Sequence, residues 1–197
     1  MYDLCRKIWE EEGWKQSVIV PVFKKKDRLC CDNYRGISLL PHCEKLLATI
    51  ILERIKRKND EALSEAQAGS RCGRSMIDQL FTLRRMSELY TEFGKHLFVC
   101  YVDFRKVFDS VWRTGLWHVV RHLHFDEKIV RILEALYKDT VSAVRVDGEL
   151  SGWFSTTIGV LQGCVLSPLL FNILLEVVML LALFHSNLDV SISGCHL

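Results

Sequence analysis

The sequence predicts an α+β fold, an antiparallel sheet packed by helices. Three observations carry this. Apolar segments at Ser17–Phe23 and around Tyr34–Leu40 flank the polar run KKKDR, the pattern of a basic-tipped hairpin. SAVRVDGELSGWFST, Ser142–Thr156, alternates about Asp147-Gly148, a strong short hairpin signal. Between and after these lie long stretches with helical periodicity, so helices mix with hairpins rather than alternating with single strands.

The elements follow in order. Residues 1–16 read as a short helix with Leu4, Ile8 and Trp9 apolar. Glu44–Ala62 is helical through Leu46, Leu47, Ile50, Ile51 and Ile55. Ala68–Ser75, AGSRCGRS, is a glycine-punctuated basic loop, and Met76–Phe93 is the next helix, with Ile77, Leu80, Phe81 and Leu83 apolar. VCYVDFRKVFDSVW then reads as a buried strand, Val99–Val102, ending at Asp103, followed by a turn and a helical start near Asp109 and Ser110. Asp109 suits a capping role there. A lone carboxylate at a buried strand end is costly without a partner. Asp109 is not that partner. Six extended steps separate the two by about 20 Å, and six helical steps by roughly 120°. Helices follow over Leu116–Leu123 and Glu127–Tyr137, and the apolar run Leu169–Phe184 begins a last helix beside Pro168. That run is shorter than the ~20 residues of a membrane span, and Asn172 and Glu176 interrupt it, so a buried helix is expected.

Composition narrows the function. With 197 residues, 49% of them apolar and only 3 prolines, the chain can build a core. A formal charge of +2 is too mild to establish nucleic-acid binding, but Lys24–Lys26 with Arg28, Arg54–Lys58, Arg71 with Arg74, Arg84–Arg85 and Arg105–Lys106 cluster locally. None of the eight cysteines forms a C-x-x-C pair and no secretory signal precedes them. Free, mostly buried thiols in an intracellular compartment, cytoplasm or nucleus, are expected. His118 and His122 have zinc-like spacing, but Val119 replaces the glutamate of H-E-x-x-H, which leaves an ordinary helix face.

Five segments resemble, in order, the blocks of the reverse transcriptase domain of LINE-type (non-LTR) retrotransposons. They are SVIVPVFKKKD, DNYRGISLL, EAQAGSRCGRSMIDQLFTLR, YVDFRKVFDSVW and GVLQGCVLSPLLFNILLE. The resemblance implies right-hand polymerase fingers over residues 1–95 and a partial palm over 96–197. It implies RNA template, DNA primer and deoxynucleoside triphosphates as partners and Mg2+ as cofactor, since two-metal nucleotidyl transfer needs converging oxygen ligands. Asp103 then matches the first catalytic aspartate and metal ligand, with the carbonyl of Phe104 beside it. Arg35 matches the arginine that grips the triphosphate, with Lys24 or Lys25 assisting. Phe108 matches the ring under the nucleotide sugar. Gln162 and Gly163 match the loop beside the templating base, and Arg71 and Arg74 would contact template phosphates. Each position also has a plain alternative: a surface ion pair for Arg35, core packing for Phe108, a tight turn for Gln162-Gly163.

Departures weigh against activity. Val107 stands where the family usually has alanine, Leu161 where arginine is common, Val165 for proline and Ser70 for phenylalanine. The family supplies Asp103's partners from a Y/F-x-D-D hairpin, and the 197 residues contain none. The expected function is therefore a fragment of an RNA-directed DNA polymerase, inactive as it stands. A non-catalytic nucleic-acid-binding remnant is the alternative, and an apolar-helix interaction or membrane protein a remote third.

Overall fold

A computed structural model of the protein describes residues 6, 10, 15–186, 191–192 and 195–196. The helix expected over 1–16 lies largely outside the described residues. The first strand, β1 (Gln16–Phe23), pairs antiparallel with β2 (Tyr34–Leu39), in register from Val18 opposite Leu39 to Phe23 opposite Tyr34. A single 3-10 turn, Cys31–Asn33, leads into β2. Three ties close the tip of this hairpin. Phe23 and Tyr34 meet edge to face at 5.4 Å, Arg28 lies over the Phe23 ring at 5.1 Å, and Tyr34 Oη donates to Arg28 O at 2.9 Å.

Helix α1 (His42–Ala62) buries Glu44, Ala48, Ile51, Ile55 and Asn59, one stripe at helical spacing. Leu46 and Ile50, expected on that stripe, face outward. Helix α2 (Met76–Glu92) is capped by Ser75, which accepts from Ile77 N, yet buries no residue. Helices α3 (Arg113–His122) and α4 (Glu127–Tyr137) follow, the second capped by Asp126, which accepts from Lys128 N at 2.8 Å. The chain returns to the sheet as β3 (Val141–Val146), β4 (Glu149–Leu150) and β5 (Phe154–Ser155). Asp147 and Gly148 turn β3 into β4 with φ of 49° and 90°, the paired positive angles of the expected tight hairpin. Helix α5 (Ser167–Ser186) follows.

The sheet corrects one expectation. Its order is β2-β1-β3-β4, with β5 also on β3, and β1 and β3 run parallel, Gln16 opposite Val141. The sheet is mixed, not antiparallel throughout. A parallel pair needs a long crossover, and here β2 and all of α1–α4 lie between the two strands. The core joins Ile51 and Ile55 of α1 to Leu116 and Val120 of α3, Val130 and Leu133 of α4, and Leu170 and Ile173 of α5. The apolar run of α5 is interior only through its first half: Leu169, Leu170, Ile173 and Glu176 are buried, whereas Val178, Met179, Leu180 and Leu181 are 45–56% exposed, so the buried-helix expectation holds in part. Among the described residues no helix is long and apolar enough to cross a membrane.

Two local expectations fail together. Residues 99–102 form no strand, and Tyr101 and Val102 are 81% and 68% exposed. A strand forms by pairing, and no described segment offers this one a ladder. Asp109 caps nothing, because residues 105–110 make consecutive turns and the helix starts only at Arg113, with Trp112 in the cap position. The thiols also differ from expectation. Cys30, Cys31, Cys72 and Cys100 are exposed free cysteines, and Cys164 is buried.

Candidate nucleotide-binding cleft

Three segments far apart in sequence meet over the β1–β2 hairpin. The loop carrying Gln162 and Gly163 lies on β2, where Ser38 N donates to Gln162 O at 2.7 Å. Gly163 has φ +117°, and a Cβ there would lie 2.8 Å from Ser38 O, so only glycine fits this approach. With its amide nitrogen donating to Gly36 O at 2.9 Å, Gln162 accepts from Arg35 Nε at 3.2 Å. The turns at 105–110 are held from the other side. Val160 N donates to Phe108 O at 2.7 Å and Gly159 N to Val111 O at 2.8 Å.

Between them opens a cleft of about 140 Å³ whose lining includes Lys24, Arg35, Phe104, Lys106, Phe108 and Gln162. Tertiary structure therefore gathers Lys24, Arg35, Phe104, Phe108 and Gln162 around one small basic space. Phe108 is half-buried. Its ring meets Phe171 edge to face at 5.6 Å while it also lines the cleft. Of the larger cavities, one of about 690 Å³ holds Arg71 as its one expected site residue, one of about 730 Å³ holds none, and one of about 400 Å³ shares Gln162 with the cleft.

The electrostatics of the cleft rim escaped sequence reading. Lys106 Nζ lies 2.6 Å from Asp32 Oδ1, and Arg105 lies 3.6 Å from the same carboxylate. The hydrogen bond from Lys106, then the positive charges of Lys106 and Arg105, hold the Asp32 carboxyl below the usual carboxylate range. Lys106 itself adopts φ 47°, a left-handed conformation uncommon for a side-chain-bearing residue.

Other expected site residues fall outside the cleft. Asp103 is exposed and is not part of the lining. Arg71 has a side chain only 2% exposed. Its guanidinium pairs with Asp60 at 2.7 Å and donates to the carbonyls of Ser64, Gln67 and Asp60, so in this arrangement it braces the basic loop rather than facing outward. Arg74 stays near the surface and bonds Glu65 at 2.7 Å. His118 and His122 are exposed on α3. Asp103 and the Phe104 carbonyl alone are too few oxygen donors for a two-ion centre. Among the described residues no group of three or more His, Cys, Asp or Glu could hold a metal ion. The oxygen donors among the described residues do not fit the Mg2+ pair that the motifs imply.

Arg113 carried no motif signal, yet it organises the ground beneath the cleft. Its buried guanidinium donates to Gly159 O, Tyr137 O and Thr156 O at 2.8, 2.7 and 2.6 Å, and it lies over the Tyr137 ring at 5.2 Å. Burial lowers its pKa from the usual arginine value. These bonds tie the end of α4 and the residue after β5 to the loop that carries Gln162.

Comparison with known proteins gives one consistent result. A sequence profile of the family described as reverse transcriptase (RNA-dependent DNA polymerase) matches residues 23–187. The chain is 28% identical over 165 residues to the RNA-directed DNA polymerase from mobile element jockey of Drosophila melanogaster, covering 82% of this chain and 18% of that protein. It is 30% identical over 163 residues to the probable RNA-directed DNA polymerase from transposon BS of Drosophila melanogaster, covering 81% of this chain and 18% of the relative. It is 27% identical over 162 residues to the transposon TX1 uncharacterized 149 kDa protein of Xenopus laevis, covering 82% of this chain and 12% of the relative. The chain thus spans less than a fifth of the length of each of these relatives.

Proposed function

Because the chain belongs to the reverse transcriptase (RNA-dependent DNA polymerase) family, we propose that it is the nucleotide-binding part of a retrotransposon's RNA-directed DNA polymerase, with fingers over residues 1–95 and part of a palm over 96–197. The single observation that carries this reading is the cleft shared by Lys24, Arg35, Phe104, Phe108 and Gln162. A forked guanidinium beside an ammonium suits the oxygens of a deoxynucleoside triphosphate. An aromatic ring on the same wall suits a sugar, and an amide at the loop suits a base edge. Arg35 takes the phosphates, Phe108 sits against the sugar, and Gln162 with Gly163 borders the base. Arg74 faces the phosphates of an RNA template paired with a DNA primer, and Arg71 shapes the loop that presents it. Such a protein works inside the cell, in the cytoplasm or nucleus, where RNA and nucleotides are.

No reaction step is derived through Mg2+, since the oxygen donors present do not fit it. Asp103 without converging carboxylates leaves the developing charge of phosphoryl transfer uncompensated, at a cost of several kcal/mol, each 1.4 kcal/mol being about tenfold in rate. The chain is therefore expected to bind nucleotide but not to extend a primer on RNA with magnesium. Binding of a fluorescent deoxynucleoside triphosphate and primer extension are the two measurements. Arg35→Ala should weaken binding about tenfold or more, the loss of a charge-assisted contact. Unchanged binding would remove the cleft assignment, and template-dependent incorporation abolished by Asp103→Ala would remove the inactive reading.

A further inference from the structure

We propose that Lys106 is an additional polyphosphate-binding residue of the cleft and that Asp32 is its internal latch, a carboxylate that occupies the ammonium until an anionic ligand displaces it. The inference rests on the reading of the cleft as a nucleotide site and adds how that site is gated.

Four observations carry it. First, Lys106 lines the same cleft as Lys24 and Arg35, so three cations border about 140 Å³. Second, the partner of Lys106 comes from outside the cleft lining and from another part of the chain. Asp32 lies in the 3-10 turn before β2, 74 residues away, and the contact of 2.6 Å bridges the hairpin to the turns at 105–110. Third, Lys106 holds its ammonium there from a backbone with φ 47°, a conformation disfavoured for lysine. Fourth, the pair is exposed, with side chains 51% and 55% accessible. An exposed pair is weak and exchangeable. A triphosphate carries more negative charge than one carboxylate and can replace it on Lys106 without burying any group. Arg35 is not free to the same degree, because Gln162 accepts from its Nε and sets its position. Lys106 is thus held by an exposed, exchangeable pair and Arg35 by the Gln162 amide. Arg105, 3.6 Å from Asp32, and Asp109, on the cleft lining, are the other charges near the pair.

The test uses inorganic tripolyphosphate without metal, titrated against the dilute 197-residue chain at low ionic strength. Asp32→Asn is expected to tighten binding by about fivefold, the upper range of an exposed pair, and the gain is expected to shrink above about 0.15 M salt. Lys106→Gln should weaken binding, and Asp32→Asn should add nothing in the Lys106→Gln background. Thermal melting of each variant checks that it is folded, and Lys106→Gln probes the pair from its other side should Asp32→Asn melt early. If Asp32→Asn matches the parent chain while Arg35→Gln weakens binding, the latch is overturned and the cleft stands. A gain from Asp32→Asn that persists with Lys106→Gln is a general charge effect and also overturns the latch. If neither the parent nor Asp32→Asn binds, or Arg35→Gln changes nothing, the nucleotide reading falls and the latch with it.

Discussion

Glu44 occupies the first turn of α1, 5% exposed, with Oε2 buried and without a hydrogen-bond partner. Burial pushes its carboxyl up to about 7. The consequence for stability has a definite sign. Below the unfolded pKa, near 4.5, the group is protonated in both states and costs nothing. As pH rises from there to about 7 the unfolded chain releases its proton while the folded chain keeps it, and stability falls. Above 7 the whole cost is present, on the order of 2 kcal/mol after discounting for solvent screening. Glu44→Gln should therefore leave stability at pH 4 unchanged and raise it at pH 8 by roughly that amount, read from urea unfolding at the two pH values. Equal pH dependence in both proteins would contradict the assignment. Nearby, burial also raises the Cys164 thiol and the Tyr137 phenol, so the ground below the Gln162 loop favours neutral groups.

At the scale of elements, the elements with local signals were legible. Asp147-Gly148 turns the expected hairpin, while the helix caps fall on Ser75 and Asp126, which were not singled out, rather than on Asp109. Asn172, an oddity in the apolar run, donates to Gly69 O at 2.6 Å and so docks the basic loop onto α5. Besides the Asp109 cap, the expectations that failed are those that depend on a partner. The stretch 99–102 has strand composition and no ladder. α2 has an apolar set that no described element covers, and Ile77, Leu80 and Phe81 are 75%, 66% and 62% exposed. The seat of the Gln162 loop on β2 supplies the prediction at this scale. Gly163→Ala puts a Cβ against Ser38 O and asks alanine for φ +117°, so it should destabilise by about 1–3 kcal/mol. Triphosphate binding should fall with it, because Gln162 no longer positions Arg35. A thermal melt and a binding titration on the same variant check both, and a neutral substitution would mean the loop is not seated as described.

For the molecule as a whole, the amount of exposed apolar side chain is the dominant physical fact. Phe93, Phe98, Tyr101 and Val102 are 69%, 92%, 81% and 68% exposed, in addition to the uncovered residues of α2. Exposed apolar surface and an unpaired strand-forming stretch both favour association. The 197-residue chain should self-associate at micromolar concentration and unfold broadly. Appending the Y/F-x-D-D hairpin and following helix of a related element should raise solubility and sharpen unfolding. The same extension with both aspartates changed to asparagine should rescue folding equally and restore no polymerase activity, which separates a structural need from a chemical one. Light scattering and calorimetry on the three chains make the comparison. A monomeric parent chain with one sharp transition would contradict the prediction.

The sequence by itself determined most of the local elements and the residue types that line the cleft. Caps, hairpin turns and helical stripes act within a few residues, and Arg35, Phe108, Gln162 and Gly163 announce their chemistry through side-chain type and motif. Tertiary structure alone decided who meets whom. It ran β1 parallel to β3 across a crossover of four helices, drew Arg71 inward onto Asp60, and left Asp103 in solvent. It set Arg113 under the loop and Asp32 on Lys106, 46 and 74 residues from their partners. The reason is physical. A salt bridge, a buried guanidinium or a strand ladder gains its free energy from a second group, and which second group arrives depends on the packing of the whole chain.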